Sequence, residues 1–199
     1  TYPAVGVFGD DHRKIIHLNT DIDGNDTPGH SDYRHGTHVI GSLACHDVEN
    51  FRQGTAPTNG STLAYGSRLV VQDIVSSNGW EPPNVDELLW ESSSFGGVVH
   101  SNSWGDDTTA YTERTARFDA YARVMPWSLA LIAPGNSGEG VLEPANGRNV
   151  VAVSATTKSL EGERWGSSAY GPTEAGTDGI FLLAPGSNIE SAGADGFWD

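Results

Sequence analysis

A single cysteine and a single methionine stand among 199 residues. The lone Cys excludes an internal disulfide framework and any Cys-based zinc cluster. Positive charge is also scarce. Eleven Lys and Arg face 26 Asp and Glu, for a net charge of −15. That balance argues against a nucleic-acid partner, because phosphate binding needs the opposite sign. No apolar run nears the roughly 18 residues of a transmembrane helix, so no membrane span is expected. The opening residues 1–11 have neither the basic region nor the long apolar stretch of a secretory leader, and they do not begin with Met. They read as the start of a processed or excised segment. No internal repeat or low-complexity tract appears.

What remains is a globular, glycine-rich chain, 37% apolar with 25 Gly. Its length suits one domain. Short apolar runs alternate with helical patterns. Strands are expected at 68–75, 97–102, 129–133, 149–153 and 179–184. Asn84, with Pro83 before it and Glu87 three residues on, marks a helix start. A second helix is expected from Thr109 to Met125, with Tyr111, Phe118, Tyr121, Ala122 and Met125 on one face. Several strands are continuously apolar, as in parallel sheets buried on both faces. The pattern implies an α/β fold with a doubly wound, mostly parallel sheet. Chemistry is then sought beyond the carboxyl ends of the strands, after Asn102 and Ala133.

Four segments stand out. The first is His35-Gly36-Thr37-His38-Val39-Ile40-Gly41-Ser42. Its two His admit three readings: a metal pair, two satisfied histidines at a helix start, or a catalytic base at a helix N-terminus. Against the metal pair, the spacing is i, i+3, no Glu lies between, and no third ligand is near. The second is Ser101-Asn102-Ser103-Trp104-Gly105, at a strand end. The third is Ala133-Pro134-Gly135-Asn136-Ser137-Gly138, after a buried strand; alone, it is an ordinary turn. The fourth runs from Ser168-Ala169-Tyr170-Gly171-Pro172-Thr173 to Leu183-Ala184-Pro185-Gly186, Ile189 and Ser191.

Taken in order, these segments resemble the subtilisin-like serine proteases (subtilases, peptidase family S8), most closely the bacterial alkaline subtilases with an N-S-W-G substrate strand. The family's His motif is H-G-T-H-V-A-G, and its oxyanion segment is A-A-G-N-x-G. The resemblance implies a three-layer α/β/α fold and a serine endopeptidase that hydrolyses peptide bonds through an acyl-enzyme. By that likeness His35 is the general base and Asn136 the oxyanion-hole donor. Ser103, Trp104 and Gly105 would pair with an extended peptide. Ala133, Pro134 and Gly135 would line the pocket for the residue before the scissile bond. The partner is a peptide or protein substrate, and the location extracellular or in the secretory pathway.

The sequence also departs from the family. No D-[ST]-G precedes His35, and no G-T-S-[MA] follows Ala184-Pro185-Gly186. Residues 1–199 are therefore expected to be the central portion of one catalytic domain. The Asp and Ser would come from other segments of the same precursor, and the chain alone would be inactive. The other reading is a catalytically inactive subtilase-like domain with a structural or binding role. No cofactor is required for the chemistry. Asp21, Asp23, Asn25 and Asp26 have the look of a calcium loop; a solvated acidic loop is the alternative. Cys45 is expected to be a buried structural residue on the helix after the His motif.

Overall fold

The computed structural model describes Gly9 and residues 14–20, 33–45, 62–75, 83–159 and 161–193. The acidic stretch with Asp21, Asp23, Asn25 and Asp26 lies outside the described residues. The chain divides into two units, Thr1–Glu81 with Glu190–Asp199, and Pro82–Ile189.

In the first unit, β1 (Ile15–Asn19) runs parallel to β2 (Leu69–Gln72), with Asn19 opposite Gln72. β2 is shorter than the apolar run 68–75 suggests. Helix α1 (Tyr33–Ala44) carries the His motif. Its far end is closed by Thr62. The Thr62 N–H donates to the Cys45 carbonyl at 3.0 Å, and its hydroxyl donates to the carbonyls of Leu43 and Cys45 at 2.9 and 3.3 Å. The last carbonyls of a helix need such partners. Cys45 sits one residue past α1 and is half-buried, not a buried helix residue. Gly41 allows close approach, since a Cβ there would run into Ser191 and Ala192. The buried Ser191 hydroxyl donates to the His38 carbonyl at 2.7 Å.

The second unit holds a parallel four-stranded sheet in the order β3-β4-β5-β6. Its strands are β3 (Val99–Asn102), β4 (Leu129–Ile132), β5 (Val151–Thr156) and β6 (Leu182–Pro185). Helix α2 (Val85–Ser94) starts where the sequence says it should. The Asn84 side chain accepts from the Asp86 N–H at 3.1 Å, and Asp86 and Glu87 suit the positive end of the helix dipole. Helix α3 (Glu113–Val124) starts later than expected, with Thr112 as its cap. The reason is a side chain from another loop. Asn146 Nδ2 donates to the carbonyls of Thr109 and Ala110 at 2.9 Å each, and carbonyls held that way are unavailable to a helix. Tyr111 therefore leaves the apolar face, and Thr115, Phe118, Asp119 and Tyr121 form the buried one.

The core gathers Val85 and Leu89 of α2, Phe118 and Tyr121 of α3, and Ala130, Ile132 and Ala152 of the sheet. Val141 and Ala145 join from the loop between β4 and β5. Fully burying a side chain the size of Leu, Ile or Phe contributes roughly 1.5–3 kcal/mol, so these few positions hold the layers together. Burial alternates along β3, β4 and β5, and β6 is exposed throughout. The apolar runs thus do not report two covered faces here. The core layer covers the side of Ala130, Ile132 and Ala152, while Val99, Leu129, Leu182 and Leu183 stay open. Also, β5 begins at Val151, not Asn149, because the N–H groups of Arg148 and Asn149 are bound by Asp119. No helix among the described residues is long and apolar enough to cross a membrane.

Candidate functional site

Strands β3 and β4 end side by side, with Asn102 opposite Ile132. The last rung is the Ala133 N–H donating to the Asn102 carbonyl at 3.0 Å. Both chains then turn off the sheet at its carboxyl edge, where open α/β sheets place their ligands. This brings Ser103-Trp104-Gly105 and Ala133-Pro134-Gly135-Asn136 to one edge.

The first of these loops is fixed by its own tryptophan. Trp104 Nε1 donates to Asn102 Oδ1 at 3.1 Å, and its ring packs on Phe118 with 6.0 Å between centroids. Ser103 is exposed. Gly105 lies against the Glu143 carbonyl so closely that a Cβ would collide with it.

The second loop is stitched to residues 165–170. The Gly138 N–H donates to the Ser167 carbonyl at 2.8 Å, Ala169 N–H to the Gly135 carbonyl at 3.0 Å, and Tyr170 N–H to the Glu139 carbonyl at 2.8 Å. That underlying segment is anchored to β5. Ser168 Oγ accepts from the Ala155 N–H at 2.9 Å and pairs with Ser154 Oγ at 2.7 Å. Arg164 clasps the same segment, donating to the Ser168 carbonyl at 2.6 Å with its guanidinium 4.6 Å from the Tyr170 ring centroid. Gly135 has φ +108°, a region that favours glycine, and a Cβ there would stand 2.6 Å from Leu142 Cδ1. Pro134 is buried and Ala133 exposed. Asn136 is exposed and makes no hydrogen bond to any described residue, so its amide is available as a donor.

In the first unit His35 occupies the opening turn of α1 with an exposed side chain. His38 is half-buried. Among the described residues, no three His, Cys, Asp or Glu side chains converge as a metal group would require.

Sequence reasoning missed the residues that hold these loops. Glu143 is 3% exposed; its carboxylate pairs with Arg114 at 2.8 Å and accepts from the Thr112 hydroxyl. Arg114 also pairs with Asp106. A charged residue between Leu142 and Pro144, in an otherwise apolar stretch, was the available signal. At the other end of β3 His100 is buried. It contacts Ser128 Oγ at 3.0 Å and Tyr121 OH at 3.2 Å, and burial holds its imidazole below the ordinary value.

Comparison with known proteins agrees with this architecture. An extracellular protease of Xanthomonas campestris pv. campestris is 30% identical over 177 residues, covering 82% of this chain and 27% of its own. Subtilisin Savinase of Lederbergia lenta is 28% identical over 158 residues, covering 79% of this chain and 52% of its own. The chain thus spans about half or less of these relatives. Among solved structures, the S41 psychrophilic protease aligns with TM-score 0.65 and 24% identity, over 83% of this chain and 56% of its own. The psychrophilic subtilisin-like protease Apa1 from Pseudoalteromonas sp. AS-11 aligns with TM-score 0.64 and 22% identity, over 88% and 38%. These two likenesses establish the parallel α/β fold. Residues 7–197 match the subtilase family, and the chain belongs to it.

Proposed function

We propose that this chain is the central part of a secreted serine endopeptidase, supplying the general base and the oxyanion donor. The acid and the nucleophilic Ser come from parts of the precursor beyond residues 1–199. The observation that carries the reading is the shared exit of the two loops from β3 and β4, with the free amide of Asn136 at that edge.

An extended peptide lies along the backbone of Ser103, Trp104 and Gly105, as an added strand. Its side chain before the scissile bond rests on Ala133, Pro134 and Gly135. His35 takes the proton of the Ser hydroxyl as that oxygen attacks the carbonyl carbon. The carbonyl π electrons move to oxygen, and Asn136 Nδ2 donates to the oxyanion. His35 then gives its proton to the leaving amine, which departs with the electrons of the C–N bond. Water repeats the sequence on the acyl-enzyme, with His35 again the base. No metal or cofactor enters these steps.

The test is labelling of the full-length protein with a serine-directed fluorophosphonate. Labelling that His35→Ala abolishes supports the peptidase. Absence of labelling in the purified wild type favours an inactive subtilase-like scaffold. Asn136→Leu is expected to lower kcat by about 10²–10³ with little change in KM. An unchanged kcat removes Asn136 from that role.

A further inference from the structure

Beyond Asn102 the sheet no longer holds the chain, yet strand addition by a peptide needs residues 103–105 held still. What holds them is a charge bridge behind the loop. The Glu143 main chain grips the loop twice: its N–H donates to the Thr108 carbonyl at 2.9 Å, and its carbonyl accepts from the Asp106 N–H at 3.3 Å. Its side chain points inward to Arg114 and Thr112. Arg114 Nη1 is shared between that carboxylate and the Asp106 carboxylate on the substrate side. One guanidinium therefore ties the loop after β3 to the loop after β4. The three side chains are largely shielded, at 16%, 25% and 3% exposure for Arg114, Asp106 and Glu143, so solvent screens them weakly.

Arg114 is also poorly placed for its own helix. It is the second residue of α3, where the positive end of the dipole disfavours a cation. The two carboxylates account for its presence there; helix formation does not.

We infer that Arg114 is a positioning residue for the substrate strand, acting through Asp106 and Glu143 to set the backbone of Ser103, Trp104 and Gly105. The inference rests on the peptidase reading above and extends it to how extended substrates are held. Because Arg114 touches no substrate, its loss weakens binding of peptides long enough to lie along 103–105. The chemistry at the scissile bond stays intact.

The experiment uses the full-length protease and two substrates, a single-residue ester and a hexapeptide amide. Arg114→Met is expected to raise KM for the hexapeptide about tenfold, the scale of one lost charge-assisted hydrogen bond. The ester KM and both kcat values stay within about twofold. Arg114→Lys recovers part of the hexapeptide loss. Asp106→Asn, which cuts one arm and leaves Glu143 paired, raises the hexapeptide KM about threefold. Should Arg114→Met fail to fold, Asp106→Asn carries the test, and an unchanged hexapeptide KM in it overturns the inference. Equal changes for ester and hexapeptide, or a lower Tm with both KM values unmoved, also overturn it and leave Arg114 a purely structural role. A wild-type protein that hydrolyses neither substrate and resists the fluorophosphonate overturns the peptidase reading, and this inference with it.

Discussion

Replacing Asp119 with Ala should unfasten helix α3 from the head of strand β5. Asp119 is 8% exposed and lies on the buried face of α3. Its carboxylate accepts from Arg148 N–H at 2.9 and 3.1 Å, Asn149 N–H at 2.6 Å and Tyr111 OH at 2.7 Å. Hydrogen bonds to a charged acceptor contribute about 1.5–3 kcal/mol each, and the donors left behind add a desolvation penalty. Against this, the variant no longer desolvates a carboxylate, which returns several kcal/mol. The net loss is about 3–4 kcal/mol, a large share of ordinary domain stability. Asp119→Asn keeps one acceptor but turns an NH₂ toward a backbone N–H, and should lose about 2 kcal/mol. Tyr111→Phe removes a single bond at a residue 47% exposed, and should lose about 1 kcal/mol. Urea unfolding of the full-length protein measures all three as shifts in midpoint at constant m. If Asp119→Ala lies within about 0.5 kcal/mol of wild type with m unchanged, the carboxylate is not the fastening and the reasoning fails.

Two further outcomes are expected. Burial lowers the His100 pKa from 6.5, so below that pH the unfolded chain binds more protons than the folded one. Stability is full above 6.5 and falls as pH drops toward the folded pKa; His100→Gln should flatten that fall between pH 7.5 and 5, and an unchanged slope refutes the assignment. Gly135→Ala meets both a φ of +108° and the Leu142 side chain, displacing the neighbouring Asn136. It should cut kcat by about tenfold, and wild-type turnover would show that the loop tolerates a Cβ.

How much of this could be read beforehand depends on the range of the interaction that decides each feature. The α2 start was readable because its cap, Asn84, is adjacent to the helix it caps. The α3 start was not. Thr109 and Thr112 are both acceptable caps, and Asn146, over 30 residues away, chooses between them. Likewise Asp119 sets where β5 begins. The apolar strands signalled a parallel sheet correctly, yet a run of Val, Leu and Ile does not state which face finds a cover. At the candidate site, the loops were recognisable by motif because their chemistry demands particular residues. Arg114 and Glu143 belong to no motif. Their significance comes from being brought together across 29 positions, and only the folded chain displays that.

The open face of the four-stranded sheet bears on how this unit responds to temperature. Phe181 is 73% exposed, and Val99, Leu129, Leu182 and Leu183 are exposed with it. Surface already wet in the folded state adds nothing new to water on unfolding. The heat capacity of unfolding grows with newly exposed apolar area, by about 0.45 cal/mol/K per Å². These side chains contribute less to that sum than covered ones would. A smaller heat-capacity change makes the stability curve broader and shallower, so cooling should weaken the unit less than it weakens a sheet packed on both sides.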